Sequence, residues 1–212
     1  MFAVRAHIGE VLVEGVNVPM QPKVLRVKSG WKIPNVSDIT GRKVIYSAGK
    51  LAAVYAEMAR SPERNKLIVD FVLQAKTAGR TTVVMAEHKE HLVNVYRAML
   101  DAGVNAMDMG MYVGGLKTKA ERDIQANKPI VFATYQFCSE GTDYPHWDTL
   151  VYATPRATAE QTAGRVMRKL DGKKMPVVFD LIDDNALLKG YASGRLKDYY
   201  KVGAVIVNMW EN

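Results

Sequence analysis

The sequence lacks the residues that several kinds of chemistry require. It has one cysteine, Cys138, in 212 residues. A disulfide framework and a cysteine-based zinc site are therefore excluded, and a reducing, cytoplasmic setting is expected. No apolar run approaches the roughly 18 residues of a membrane helix, so no membrane partner is expected. Met1 to His7 has no basic stretch leading into an apolar core, so no signal peptide is read there. The Gly-x-Ser-x-Gly signature of a nucleophilic serine is missing. So is a complete phosphate loop. Ser47-Ala48-Gly49-Lys50 has its ending, but Val44 stands where the first glycine is needed and Leu51 where a magnesium-binding Ser or Thr belongs. Glu87 to His91 offers histidines three apart with no third ligand, which reads as a solvated helix start, and no metal site is expected on this chain. What is present is a globular composition, 48% hydrophobic and 24% charged, with a formal charge of +7. That excess points to a polyanionic partner such as nucleic acid.

Hydrophobic periodicity divides the chain near residue 60. Before it, Gly9 to Gly15 and Pro22 to Lys28 read as short strands, Gly30 to Gly41 as a loop and Ala48 to Arg60 as a helix. From Ser61 onward, apolar strands alternate with helices. Ser61 with Pro62 and Glu63 starts a helix that Gly79 can close. Strands follow at 81–86, 106–112, 129–134, 149–154, 175–182 and 204–209. Helices are read over 88–102, 117–127, from Thr158 with Gln161 three residues on, and over 185–200. This order predicts an α/β fold, an open parallel sheet with helices on both faces. Ligands bind such sheets beyond the carboxyl ends of the strands, which draws attention to the loops after Ala86, Thr134 and Thr154. Val177 to Asp180 with Asp183 and Asp184 has the look of a magnesium-supporting strand end. Without a phosphate loop to complete, these read as ordinary strand-end acids.

Three segments gain meaning together. Glu160 to Arg168 contains a Gln-x-x-Gly-Arg-x-x-Arg string, and Arg165 and Arg168, three apart, can share one side of a helix. Guanidinium groups match phosphate oxygens and can neutralise transition-state charge in phosphoryl transfer. Ala133 to Pro145 is a strand end running into a polar loop with Gly141 and Asp143. Thr82 to Leu92 is a strand entering a helix, followed by the glycines of Tyr112 to Lys117. In this order they resemble motifs VI, V and IV of the second RecA-like domain of superfamily 2 helicases, over roughly Ser61 to the C-terminus. The similarity extends to UvsW-type phage DNA helicases, in which the Pro62–Asn65 stretch and the basic helix around Arg195 share.

The resemblance implies specific roles. Arg168 would be an arginine finger facing the γ-phosphate of ATP, with Arg165 beside it. Gln161, Gly141 and Asp143 would line the nucleotide, while Thr134, Lys89, Gly114 and Gly115 would contact DNA, single-stranded or branched. The phosphate loop and the magnesium-binding acids would belong to an N-terminal RecA-like partner domain. Residues 1–60 would then be an arm or linker from that domain, and 61–212 the C-terminal motor domain, inactive as an ATPase by itself. Phage DNA repair or recombination is the implied setting. The competing expectation is a non-enzymatic nucleic-acid-binding module with the same fold.

Overall fold

A computed structural model describes residues 21–34, 41, 51–139, 144–159 and 170–210. The described strands are β1 (Lys23–Lys28), β2 (Thr82–Ala86), β3 (Met109–Tyr112), β4 (Ile130–Thr134), β5 (Thr149–Tyr152), β6 (Val177–Ile182) and β7 (Val205–Asn208). They form one parallel sheet in the order β3-β4-β2-β5-β6-β1-β7. The helices are α1 (Leu51–Arg60), α2 (Pro62–Thr77), α3 (Lys89–Asp101), α4 (Lys119–Ala126), α5 (Tyr135–Ser139) and α6 (Ala186–Lys201). This is the open parallel α/β sheet that the alternation of elements predicted, of the RecA-like kind that the resemblance implied.

Local chemistry sets the helix ends. The Ser61 hydroxyl accepts from the Arg64 amide at 3.2 Å, with Pro62 in the first turn of α2. Gly79 takes φ 64°, and the Gly79 and Arg80 amides donate to the Lys76 and Ala75 carbonyls, a Schellman ending that releases the chain into β2. Thr118 and Glu121 form a reciprocal capping box on α4. Asn185 caps α6 through the amides of Leu187 and Leu188.

The sheet is buried on both faces. Val84 and Ala86, Ile130 and Phe132, and Val177, Phe179 and Leu181 face α2 and α3, where Phe71 stacks on Phe179 at 4.1 Å between ring centroids. The alternate residues Val83 and Met85, Val131 and Ala133, and Val178 face α4, α5 and α6 around Trp147 and Tyr199. That double burial explains why the strands read as continuous apolar runs. No described helix is long and apolar enough to cross a membrane.

Several expectations need correction. The strand expected at 106–112 begins as a 3₁₀ turn, Ala106–Asp108, because the Asn105 side chain accepts from the Met107 amide at 2.8 Å and bends the chain first. The segment after Thr134, read as a loop, opens as α5, whose Tyr135 and Cys138 are buried. The strand expected over Pro22 to Lys28 is β1, and it lies inside the sheet between β6 and β7. The expected strand over Gly9 to Gly15 lies outside the described residues; the helix expected from Thr158 has not begun at Thr158 or Ala159, and its continuation through Gln161 lies outside them.

Gly110 in β3 has a steric role. A Cβ there would stand 2.1 Å from the Gln125 carbonyl oxygen, so β3 and α4 approach as they do because no side chain intervenes. Gly110→Ala is expected to lower unfolding free energy by about 1–3 kcal/mol in urea titration. An unchanged midpoint would mean that α4 yields freely.

Candidate nucleic-acid interface at the carboxyl edge of the sheet

Register brings the expected contact residues to one edge. Thr134, last in β4, lies opposite Ala86, last in β2, and Ala133 lies opposite Tyr112, last in β3. Thr134 therefore stands between two outgoing loops. One runs through Glu87 and His88 to Lys89, the first residue of α3, and the other through Val113 to Gly114 and Gly115. Lys89, Gly114 and Gly115 are exposed and Thr134 is half-buried. The Thr134 hydroxyl accepts from the Phe137 amide at 3.4 Å, which ties it to the first turn of α5. Gly115 has φ 109°, a conformation that favours glycine, whereas nothing local requires glycine at 114. Gln161, Arg165, Arg168, Gly141 and Asp143 lie outside the described residues.

The structure does describe the segment that leads into Gln161 to Arg168, and it is gripped almost residue by residue. The Ala153 carbonyl accepts from Arg64 Nη1, and the Thr154 carbonyl from the Tyr135 hydroxyl. The Thr154 hydroxyl meets His91 Nδ1 at 3.1 Å, and His91 Nε2 meets Asn65 Oδ1 at 3.0 Å. The Tyr55 hydroxyl donates to the Pro155 carbonyl at 3.2 Å, and burial pushes this phenol up to about 12, so it stays a neutral donor. Arg195 Nη1 donates to the Arg156 carbonyl. The Arg156 guanidinium lies 4.1 Å from the Tyr135 ring centroid and pairs with Glu87 at 3.2 Å. The Ala157 carbonyl sits where a Cβ on Gly194 would come within 2.4 Å, and the Ala159 amide donates to Asp198 at 3.0 Å. A cleft of about 460 Å³ opens beside this run, lined by Tyr55, Glu87, His88, Arg156, Thr158 and Tyr191. A larger groove of about 630 Å³ lies between α2 and α3, over Val69, Leu73 and Ala98, away from these loops.

Two buried ion pairs support the edge, and the sequence reading missed both. Arg64 meets Asp183 through Nε at 2.8 Å and Nη2 at 3.1 Å, with neither side chain exposed. Arg195 meets Asp180 through Nε at 2.9 Å and Nη2 at 2.6 Å, again without exposure. The acids read as ordinary strand ends are thus structural counter-ions, while Asp184 alone of the three is open to solvent, paired with Lys189 and Lys32. His91 is likewise not part of a solvated helix start, since it is only 1% exposed. A signal was available for all three cationic or titratable side chains. Arg64, His91 and Arg195 occupy the apolar stripes of their helices, in line with Ile68 and Val72, Val95 and Met99, and Leu188 and Ala192.

Comparisons with known proteins bear on the fold. No protein-family profile matches the chain. A protein of Acanthamoeba polyphaga mimivirus assigned as the ATP-dependent RNA helicase L396 is 24% identical over 139 residues, 65% of this chain and 27% of that protein. Helicase D10 of Escherichia phage T5 is 26% identical over 156 residues, 70% of this chain and 34% of that protein. The chain therefore spans about a third or less of these relatives. Among solved structures, T4 UvsW superposes with a TM-score of 0.60 at 19% identity, covering 89% of this chain and 42% of UvsW. The fold is RecA-like and similar to that of UvsW, and the sequence is similar to viral and phage proteins named as helicases.

His91 yields a pH prediction. Burial, followed by the nearby Arg64 and His88 charges, pushes its imidazole down to about 3. The folded state keeps it neutral, while the unfolded chain takes a proton below about 6.5. Its contribution is absent above that pH, and stability falls as pH drops further, by up to about 1.4 kcal/mol per unit. His91→Gln should flatten the pH dependence of urea stability between pH 7 and 5. Equal slopes for parent and variant would contradict this.

Proposed function

We propose that this chain is the C-terminal motor half of an ATP-dependent DNA helicase or translocase. In this reading Arg168 and Arg165 approach the γ-phosphate, Gln161, Gly141 and Asp143 line the nucleotide, and Thr134, Lys89, Gly114 and Gly115 follow a DNA backbone. An N-terminal RecA-like domain supplies the phosphate loop and enters through residues 1–60, laying β1 into the sheet. The motor acts in the cytoplasm, that of the host if it is phage-encoded. The observation that carries the reading is the grip on Ala153 to Ala159, which anchors the base of the arginine-bearing segment on the same edge as Thr134.

The chemistry follows from that arrangement. Phosphoryl transfer spreads negative charge over the γ-phosphate oxygens, and an arginine delivered by domain closure contributes about 10³–10⁵ in rate. The pair Arg165 and Arg168 supplies planar donors for that charge. Opening after hydrolysis withdraws them and shifts the nucleic-acid loops against the partner domain, which is a translocation step. Mg²⁺ would shield the β- and γ-phosphates, and the described acids do not fit it. Asp180 and Asp183 are neutralised by arginines, and no described group of three or more acidic, histidine or cysteine side chains could hold a metal. In this reading its ligands belong to the partner domain.

The test is nucleic-acid-stimulated ATP hydrolysis by this chain alone and joined to a phosphate-loop RecA-like domain, with single-stranded DNA and RNA run in parallel. Activity is expected only in the joined protein, greater with DNA. Arg168→Ala should lower its kcat about a thousandfold while leaving DNA affinity within about threefold. Arg168-dependent hydrolysis by the chain alone would overturn the half-site reading. DNA binding without hydrolysis in either form would favour the non-enzymatic binding module.

A further inference from the structure

The far end of the same sheet edge carries a cluster that the proposed cycle does not use. β1 and β7 run parallel with Arg26 opposite Asn208, and the Met209 amide donates to the Arg26 carbonyl at 2.9 Å. The pairing thus continues past β7 and brings Trp210 level with Lys28. Lys28 Nζ lies 4.8 Å from the Trp210 ring centroid, and Arg26 Cζ lies 5.7 Å from it. The two cations differ. Arg26 is nearly buried, lies 3.9 Å from Asp180 and donates to Asn208 Oδ1 at 3.4 Å. Lys28 is exposed, and no carboxylate pairs with it among the described residues. Beyond β1 come half-buried Trp31 and exposed Lys32. Main-chain bonds fix Trp31 in place: its amide donates to the Ser29 hydroxyl at 3.1 Å, and its carbonyl accepts from the Asp184 amide at 2.8 Å.

Trp147 shows what an indole does here when its role is structural. It is 1% exposed and donates to the Ala126 carbonyl at 2.9 Å. Trp210 is held differently, half-buried at a strand end with an ammonium over its ring. An aromatic face beside an exposed cation on a basic chain has the two elements that bind unpaired bases: a surface for stacking and a charge for the adjoining phosphate. We propose that Trp210 and Lys28, flanked by Trp31 and Lys32, form a stacking platform for single-stranded nucleic acid, separate from the loops at Lys89, Gly114–Gly115 and Thr134. The proposal rests on the nucleic-acid part of the reading above and not on ATP hydrolysis. A duplex keeps its bases stacked on one another, and an acidic peptide would engage Lys28 without using the indole, so the platform selects single strands.

The test titrates the 212-residue chain with a short oligothymidylate. Binding is followed by anisotropy of the labelled oligonucleotide and by tryptophan emission, in a Trp31→Phe background that leaves Trp210 above the buried Trp147. Emission should be quenched as binding saturates. Trp210→Ala should weaken binding about 5- to 100-fold, Trp210→Phe should retain most of it, and Lys28→Ala should reduce the slope of log affinity on log salt by about 0.7. Unchanged emission at saturation, parental affinity of Trp210→Ala, equal affinity for the duplex, or no binding at all would each overturn the platform. The emission measurement needs no substitution at Trp210, so a misfolded alanine variant leaves the test intact. If Lys89→Ala and Thr134→Ala weaken binding while Trp210→Ala does not, the platform fails and the loop contacts stand. If Trp210→Ala alone weakens it, the platform stands and the loop contacts fail.

Discussion

Arg64 and Asp183 meet with neither side chain exposed, and that contact joins the first turn of α2 to the residue just past β6. Taking two charges out of water is costly, and the cost is offset only where every donor and lone pair is engaged. Here the remaining guanidinium nitrogen reaches the Ala153 carbonyl, and the Ser29 hydroxyl donates to the same carboxylate at 2.6 Å. One ion pair thus connects α2, β6, the end of β1 and the segment after β5. Arg195 and Asp180 repeat the device from α6, with a further bond to the Arg156 carbonyl. Removing one partner would strand a buried charge, at about 3–5 kcal/mol. What the pairs secure is position, because the run from Ala153 to Ala159 lies between them and leads directly to Gln161, Arg165 and Arg168.

Much of the fold was legible because its signal is local and repetitive. Continuous apolar strands such as Val83 to Ala86 and Ile130 to Ala133 declare burial on both faces, and the cap at Ser61 declares a helix start. What escaped depended on contacts far apart in sequence. Arg64 reaches Asp183 across 119 residues, and no pattern near Asp183 distinguishes it from exposed Asp184. The stripe on which Arg64, His91 and Arg195 lie did carry the information. A polar residue in line with apolar ones at helical spacing is one that has found a partner inside. The short helix after Thr134 was missed because five residues give no periodicity. Of the expected residues, the convergence of Thr134, Lys89, Gly114 and Gly115 on one edge was readable from the strand ends.

The edge so built holds no self-sufficient catalytic set among its described residues. Its titratable interior groups are neutralised or kept neutral, as with Asp180, Asp183, His91 and Tyr55. Its exposed groups include Lys89, Gly114 and Gly115, with the carboxylate of Glu87 paired to Arg156. It also separates a rigid frame, tied by buried pairs, from loops free to meet a ligand.

The central claim is that nucleic acid lies along the carboxyl edge of the sheet. Amide chemical-shift mapping of the chain with a single-stranded oligonucleotide tests it most directly. The account predicts perturbations at Glu87 to Lys89, Val113 to Gly115 and Thr134, with the amino edge silent. Shifts clustered instead at Lys23, Arg80, Lys128, Lys173 and Lys174, the cations at the opposite ends of the strands, would contradict it.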